Sequence, residues 1–189
     1  MMNTLRGAMA CLAMISAAGS LASTDRAAIE TEAKNIVEAF VGEVKPMLQG
    51  YMQTLGPVGA VEGCAVEAPD IADRMSDRTG WEVGRVSLKP RNIDRGTPDA
   101  WEVATLQQLE AKRREGAGPG ELNHGEWIDG RYRYMQAQVV DAVCLNCHGK
   151  SLDPAVKASI DKYYPDDSAT GYSLGDIRGA VTLASPSRD

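Results

Sequence analysis

From residue 25 onward the apolar positions fall at Ile29, Ala33, Ile36, Val37, Phe40, Val44, Leu48, Met52 and Leu55. This is the three-to-four spacing of an amphipathic helix, with Glu, Lys and Asn on its other face. Pro46 lies inside the pattern and is expected to kink or divide the helix. Gly56-Pro57 ends it, and a shorter helix carrying Cys64 is expected before Pro69 interrupts again. Trp81 to Leu88 (WEVGRVSL) is β-branched and aromatic, and reads as a strand. The stretch KPRNIDRGTP reads as a loop of the length that often holds a ligand. Pro98 is expected to open a helix that runs through TLQQLEAKRRE to the break at GAGPG. EWI, then Asp129-Gly130, then RYRYMQAQVV is a hairpin with a two-residue primed turn. Residues 142–149 read as a helix start, Ala155 to Tyr164 as a short helix, and DIRGAVTLA as a last strand. Runs of helix and hairpin in this order predict an α+β domain, an antiparallel sheet with flanking helices.

The first residues break this alternation. Arg6 precedes a moderately apolar stretch from Gly7 to about Ala18, and Ser20-Leu21-Ala22 offers small residues where a signal peptidase reads. The stretch is too short and Ala-rich to span a bilayer comfortably. Cys11 sits mid-run, with Ala8 where a lipobox would want Leu. Residues 1–22 are therefore expected to be a signal peptide cleaved near Ala22, and residues 23–189 a single exported domain with no membrane span in the mature chain. Removing the leader takes Arg6 and no acid, which moves the formal charge from −6 to −7. So acidic a domain lacks the electrostatic footprint of a nucleic-acid binder, and an anionic membrane surface suits it no better.

Cleavage leaves Cys64, Cys144 and Cys147, an odd number in an exported protein, which argues against a simple disulfide framework. Cys144-Leu145-Asn146-Cys147-His148 has the form of a c-type haem attachment motif, in the C-terminal half of the chain. Two thiols one helical turn apart can each add to a haem vinyl group from one helix face, and the adjacent imidazole then reaches the iron as proximal ligand. Two other chemistries use similar spacings. Cys-x-x-Cys opening a helix is also the thioredoxin-like redox site, and three cysteines with a histidine could close a tetrahedral zinc site. Thioredoxin places its motif early in a strand–helix–strand unit, and structural zinc sites use two close pairs, which Cys64 does not complete.

Candidates for the sixth iron position are Cys64, His124, Met47, Met52, Met75 and Met135. A methionine is by default core filler, and His124, in the glycine-rich stretch GAGPGELNHGEW, reads as a solvated loop histidine. Cys64 is the unpaired thiol. The residues alone leave the choice open between Cys64 and the rest.

The segments GCAVEAPDIA, TGWEVGRVSLKPRNIDRGTPDAWE, YRYMQAQVVDAVCLNCHG and YYPDDSATGYSLGDIRGAVTLASP resemble successive blocks of one family. It is the exported, single-haem cytochrome c family with a PAS-like fold, found alone in bacteria or as the extracytoplasmic sensor part of signalling proteins. The resemblance covers about residues 25–186. It implies one haem c held by Cys144 and Cys147, His148 and Cys64 as axial ligands, and a five-stranded antiparallel PAS-like sheet with flanking helices. The chain departs from the sensor members in carrying no kinase or other output domain, so signalling would need a separate partner.

Thiolate ligation would leave the ferric core electrically balanced, so reduction would add a charge inside a low-dielectric pocket. A low reduction potential follows, below that of a His/Met site. The expectation is therefore a periplasmic electron carrier or redox sensor, acting with a redox partner protein, as a monomer or a homodimer. The alternatives are a module sensing a diatomic gas (CO or NO) by displacement of Cys64, and a haem enzyme such as a peroxidase. Catalysis is the less favoured reading, because with two histidines no Ser-His-Asp set can be built. Lys89, Arg91 and Arg95 are candidate partners for the haem propionates. Trp81, Trp101, Tyr132 and Tyr134 could line the haem, with core packing as the default.

Overall fold

A computed structural model describes residues 15–188, with side chains from Asp25 onward. Up to Met14, the leader expected over residues 1–22 lies outside the described residues. A helical stretch, Ile15–Thr79, is broken at Gly56 (φ 65°, ψ −171°) into two helices, α1 before the break and α2 after it. Only glycine takes this left-handed φ without strain, and Pro57 then starts α2 with no amide hydrogen to lose. The two helices fold back on each other: Arg78 pairs with Glu43, and Tyr51 donates to Glu67. Pro46 does not divide α1 and Pro69 does not interrupt α2, where the sequence predicts a kink or division at the first and an interruption at the second. Each removes one backbone hydrogen bond, and packing offsets that loss. Beyond Pro69 the helix buries Ile71, Ala72 and Met75 against Ile36, Val37 and Phe40.

Strand β1 (Glu82–Val86) follows, then a short helix α3 (Ile93–Gly96) whose N-cap Asn92 accepts from the Arg95 amide. Helix α4 spans Ala100–Arg114. Its start is set by Asp99 and not by Pro98: the Asp99 carboxylate accepts from the Glu102 amide, and Glu102 accepts from the Asp99 amide, both at 2.9 Å. This reciprocal pair is a capping box. Strands β2 (Asn123–Ile128) and β3 (Arg131–Val139) form the hairpin, with Asp129 (φ 48°) and Gly130 (φ 76°) in the turn that the Asp-Gly pair requires. Helices α5 (Leu145–His148) and α6 (Pro154–Tyr163) precede the last strand, β4 (Ile177–Ala184).

The fold is α+β, with four antiparallel strands in the order β1-β4-β3-β2. The residues had read as four strands and the resemblance implied five. Among the described residues the segment after β1 forms the Asn92-capped turn of helix α3 in place of a further strand. Alternation along the strands assigns the two faces. Val83, Val181, Leu183, Tyr132 and Tyr134 turn to the α1–α2 hairpin, while Val86, Ala180 and Met135 turn to Leu106 and Trp101 of α4. A small third cluster, Val61, Val156 and Ile160 with Cys147, Tyr163 and Tyr164 against it, joins α2 to α5 and α6. No helix among the described residues is long and apolar enough to cross a membrane.

Candidate functional site

The cysteine pair is delivered by a tight turn. Asp141 Oδ1 accepts from the Val143 amide at 3.0 Å and from Cys144 Sγ at 3.3 Å. The chain then coils through Cys147 N–H to Cys144 O (3.2 Å) and His148 N–H to Cys144 O (2.9 Å). One turn of α5 thus brings Cys144 and Cys147 to the same side and leaves His148 beyond them. The polar run Asp166–Tyr172 docks along this turn: Tyr172 N–H reaches His148 O, and Gly171 N–H reaches Gly149 O, each at 3.0 Å.

The orientation of His148 follows from one contact. Its Nδ1 lies 2.7 Å from the Ala169 carbonyl, an acceptor, so Nδ1 carries the proton and Nε2 keeps its lone pair. An Nδ1 that donates cannot also accept, so the Arg178 guanidinium at 3.1 Å from it is a close approach to the ring and not a second hydrogen bond. Burial, then the Arg178 and Arg91 charges, pushes the His148 pKa down to about 2, which keeps the imidazole neutral. A neutral imidazole with Nδ1 tied to a carbonyl is the form in which histidine binds metals.

Cys64 is half-buried on α2, the helix whose Val61 packs with Cys147 of the turn, and Arg85 and Arg91 lie near enough to act on its thiol. Burial pushes the Cys64 thiol up, and the two arginines offset part of the rise. The three described cysteines are all unpaired. Among the described residues no three His, Cys, Asp or Glu side chains gather as a directly bound ion requires, so a zinc site of Cys64, Cys144, Cys147 and a histidine has no geometry here.

Cations crowd this corner of an acidic protein. Arg91 donates to the Cys147 carbonyl (2.5 Å) and pairs with Asp167 (3.0 Å). Arg178 makes no ion pair among the described residues; it reaches the Lys89 carbonyl at 3.3 Å, and burial pushes its pKa down to about 10. Lys89 lies over the Tyr172 ring at 4.6 Å and donates to the Thr170 carbonyl. Of the three basic residues singled out in the sequence, Lys89 and Arg91 border the His148 turn, while Arg95 pairs with Asp73.

The other candidates lie elsewhere. His124 is a strand residue, not a loop one: it stands in β2 opposite Met135 and meets Glu126 at 3.1 Å, because strand pairing extends back to Asn123. Met75 and Met135 are core residues at 1% and 0% exposure, and Met47 packs against the core. Trp81, Tyr132 and Tyr134 belong to the core under the helical hairpin, and Trp101, on α4, packs against the cluster of Val86, Met135 and Ala180. Sequence reasoning missed Arg85, Arg178, Tyr164, Asp167 and the Ala169 carbonyl. Arg178 had a signal, as the one charge within the apolar strand IRGAVTLA. The Ala169 carbonyl had none, since any residue supplies one.

A family model described as Tll0287-like matches residues 9–186. No curated protein matches the chain. Among solved structures, the chain is similar to the crystal structure of the cyanobacterial heme-protein Tll0287. The identity is 25% and the TM-score 0.64, over 84% of this chain and 98% of that chain.

Proposed function

The chain belongs to the Tll0287-like family, and on that premise we propose that it is a periplasmic monohaem c-type cytochrome. Cys144 and Cys147 hold the porphyrin through thioethers, and His148 and Cys64 are the axial ligands. The observation that carries this reading is the contact of His148 Nδ1 with the Ala169 carbonyl, at the residue that directly follows Cys147. The donor set fits the group: two thiols one turn apart, a neutral imidazole with Nε2 uncommitted, and a third thiol on α2. The Arg85, Arg91 and Arg178 cluster suits the carboxylates of a haem. The four-stranded antiparallel sheet with helices on both faces supports the PAS-like part of the reading.

Bound haem supplies a one-electron redox centre, and the protein decides how easily that electron is accepted. A Cys64 thiolate adds negative charge at the iron in a half-buried site, which favours the oxidised state and gives a low potential. His148 is held in one tautomer by Ala169, so its orientation costs no rearrangement on electron transfer. This supports a carrier or sensor more than a catalyst. Diatomic gas sensing is the second reading: Cys64 comes from α2, a different element from the Cys144–His148 turn, so it can take up a proton on reduction, leave the iron and free a position.

The test is a potentiometric titration of the exported protein, followed by its absorbance, for the wild type and Cys64→Ala. A low midpoint and a ferric spectrum that changes in the variant support His/thiolate ligation. A high midpoint with a methionine-type spectrum, unchanged in the variant, refutes it. CO binding by the reduced wild type would favour the sensing reading.

A further inference from the structure

Arg91 and Asp167 stand 76 positions apart in sequence and meet behind His148, with side chains only 11% and 7% exposed. Asp167 Oδ1 accepts from Arg91 Nε at 3.0 Å and from the Ala169 amide, also at 3.0 Å. The same guanidinium donates from one terminal nitrogen to the Cys147 carbonyl (2.5 Å) and to the Ala169 carbonyl (3.3 Å). The Ala169 oxygen is the atom that takes the His148 Nδ1 proton. A closed ring results: Asp167 holds Arg91, Arg91 holds both the Cys147 carbonyl and the oxygen that orients His148, and the peptide from Cys147 to His148 completes it.

We propose that Arg91 is a positioning residue that sets the plane and donor strength of His148, with Asp167 as its anchor. The inference rests on the haem reading above and deepens it. A planar guanidinium can hold two carbonyls and a carboxylate in one fixed geometry, which a point-charge ammonium cannot. Because Arg91 competes for the Ala169 oxygen, it weakens the hydrogen bond that would otherwise draw the Nδ1 proton away and make the imidazole a stronger donor. Releasing the Ala169 oxygen therefore favours the oxidised iron.

The experiment compares wild type with Arg91→Gln, Arg91→Lys and Asp167→Asn. It reads the midpoint potential, the ferric electron paramagnetic resonance g values, which follow the plane of the axial imidazole, and covalent haem content by pyridine haemochrome. Arg91→Gln is expected to lower the midpoint and shift the g values. Arg91→Lys keeps the charge and is expected to shift the g values likewise. Asp167→Asn loosens Arg91, which lowers the midpoint, and removes a negative charge, which raises it, so this variant is read by its g values, which shift as before. Wild-type g values in Arg91→Lys, or in Asp167→Asn with only its midpoint moved, would overturn positioning in favour of plain charge. If the Arg91 variants fail to fold, Asp167→Asn carries the test alone. Wild-type protein without covalent haem would instead refute the haem reading.

Discussion

Between the sheet and the helical hairpin, Phe40, Met75, Tyr132, Tyr134 and Leu183 are each at most 1% exposed and touch mainly apolar neighbours. Around His148 the proposed ligand side chains, Cys64, Cys144 and Cys147, stay half-buried, and directional contacts to carbonyls and carboxylates hold the surrounding turn. The first region is closed by area removed from water, which has no preferred direction. The second is aimed by hydrogen bonds, which fix orientation and contribute little net stability. The difference implies that folding and ligand binding are separable: the core can fold without the corner, and the corner cannot be aimed without the core.

The most severe way to break that comparison is Cys144→Ser with Cys147→Ser. Complete loss of covalently bound haem is expected, read as the mass of the purified protein, while cooperative melting by circular dichroism survives. Loss of the folded state would mean that the cofactor, and not the core, holds the domain together. The converse change is Phe40→Ala, which empties a site at 1% exposure. A cost of about 3–5 kcal/mol is expected from the denaturant midpoint, with the haem content of the protein that does fold unchanged.

Why the core was legible in sequence and the corner only in part follows from the same contrast. Burial leaves a period, and the spacing of Ile29, Ala33, Ile36, Val37 and Phe40 and the Asp129-Gly130 turn announced α1 and the hairpin. Prolines misled where packing outweighed local cost, at Pro46 and Pro69. In the corner, Cys144, Cys147 and His148 are contiguous and so were visible. Cys64, Arg91, Asp167 and Arg178 come from four separate segments, and nothing local says that they meet. All four lie in runs that carry the family resemblance, but a resemblance names residues without giving their contacts.

Cys64→Ala sharpens the comparison from the other side. Removing a half-buried sulfur from α2 is expected to change stability by no more than about 1 kcal/mol. The ferric spectrum should change and the midpoint rise, because the charge that opposes reduction is gone. A large stability loss with an unchanged spectrum would make Cys64 a packing residue.

Tyr132→Phe probes the one imperfection of the core, since the Tyr132 hydroxyl is buried with no hydrogen-bond partner among the described residues. Phenylalanine keeps the ring against Trp127, at 5.5 Å between centroids, and removes an unsatisfied donor. A gain of about 1 kcal/mol is expected in a urea titration. A loss would mean that the hydroxyl is satisfied in solution by a bound water.

The smallest effect tests whether the directional style of contact seen at the corner also contributes on the outer face of the sheet. Asp99 caps α4 and pairs with Arg133 at 2.7 Å, with about half of its side chain exposed. Burial pushes its carboxyl up, but the Glu102 amide and the Arg133 guanidinium outweigh that and hold it below the ordinary carboxylate value. A depressed folded-state pKa stabilises the fold above the unfolded value, near pH 4, and the contribution fades as pH falls through the folded value. Asp99→Asn keeps a capping oxygen and loses only the charge. A cost of a few tenths of a kcal/mol is expected at pH 7, shrinking to nothing well below pH 4. Because Glu102 still pairs with Arg133 at 3.1 Å and accepts from Thr182 at 2.7 Å, the helix stays docked on β4 in the variant. A cost that persists undiminished in acid would place the role of Asp99 in cap geometry and not in its charge.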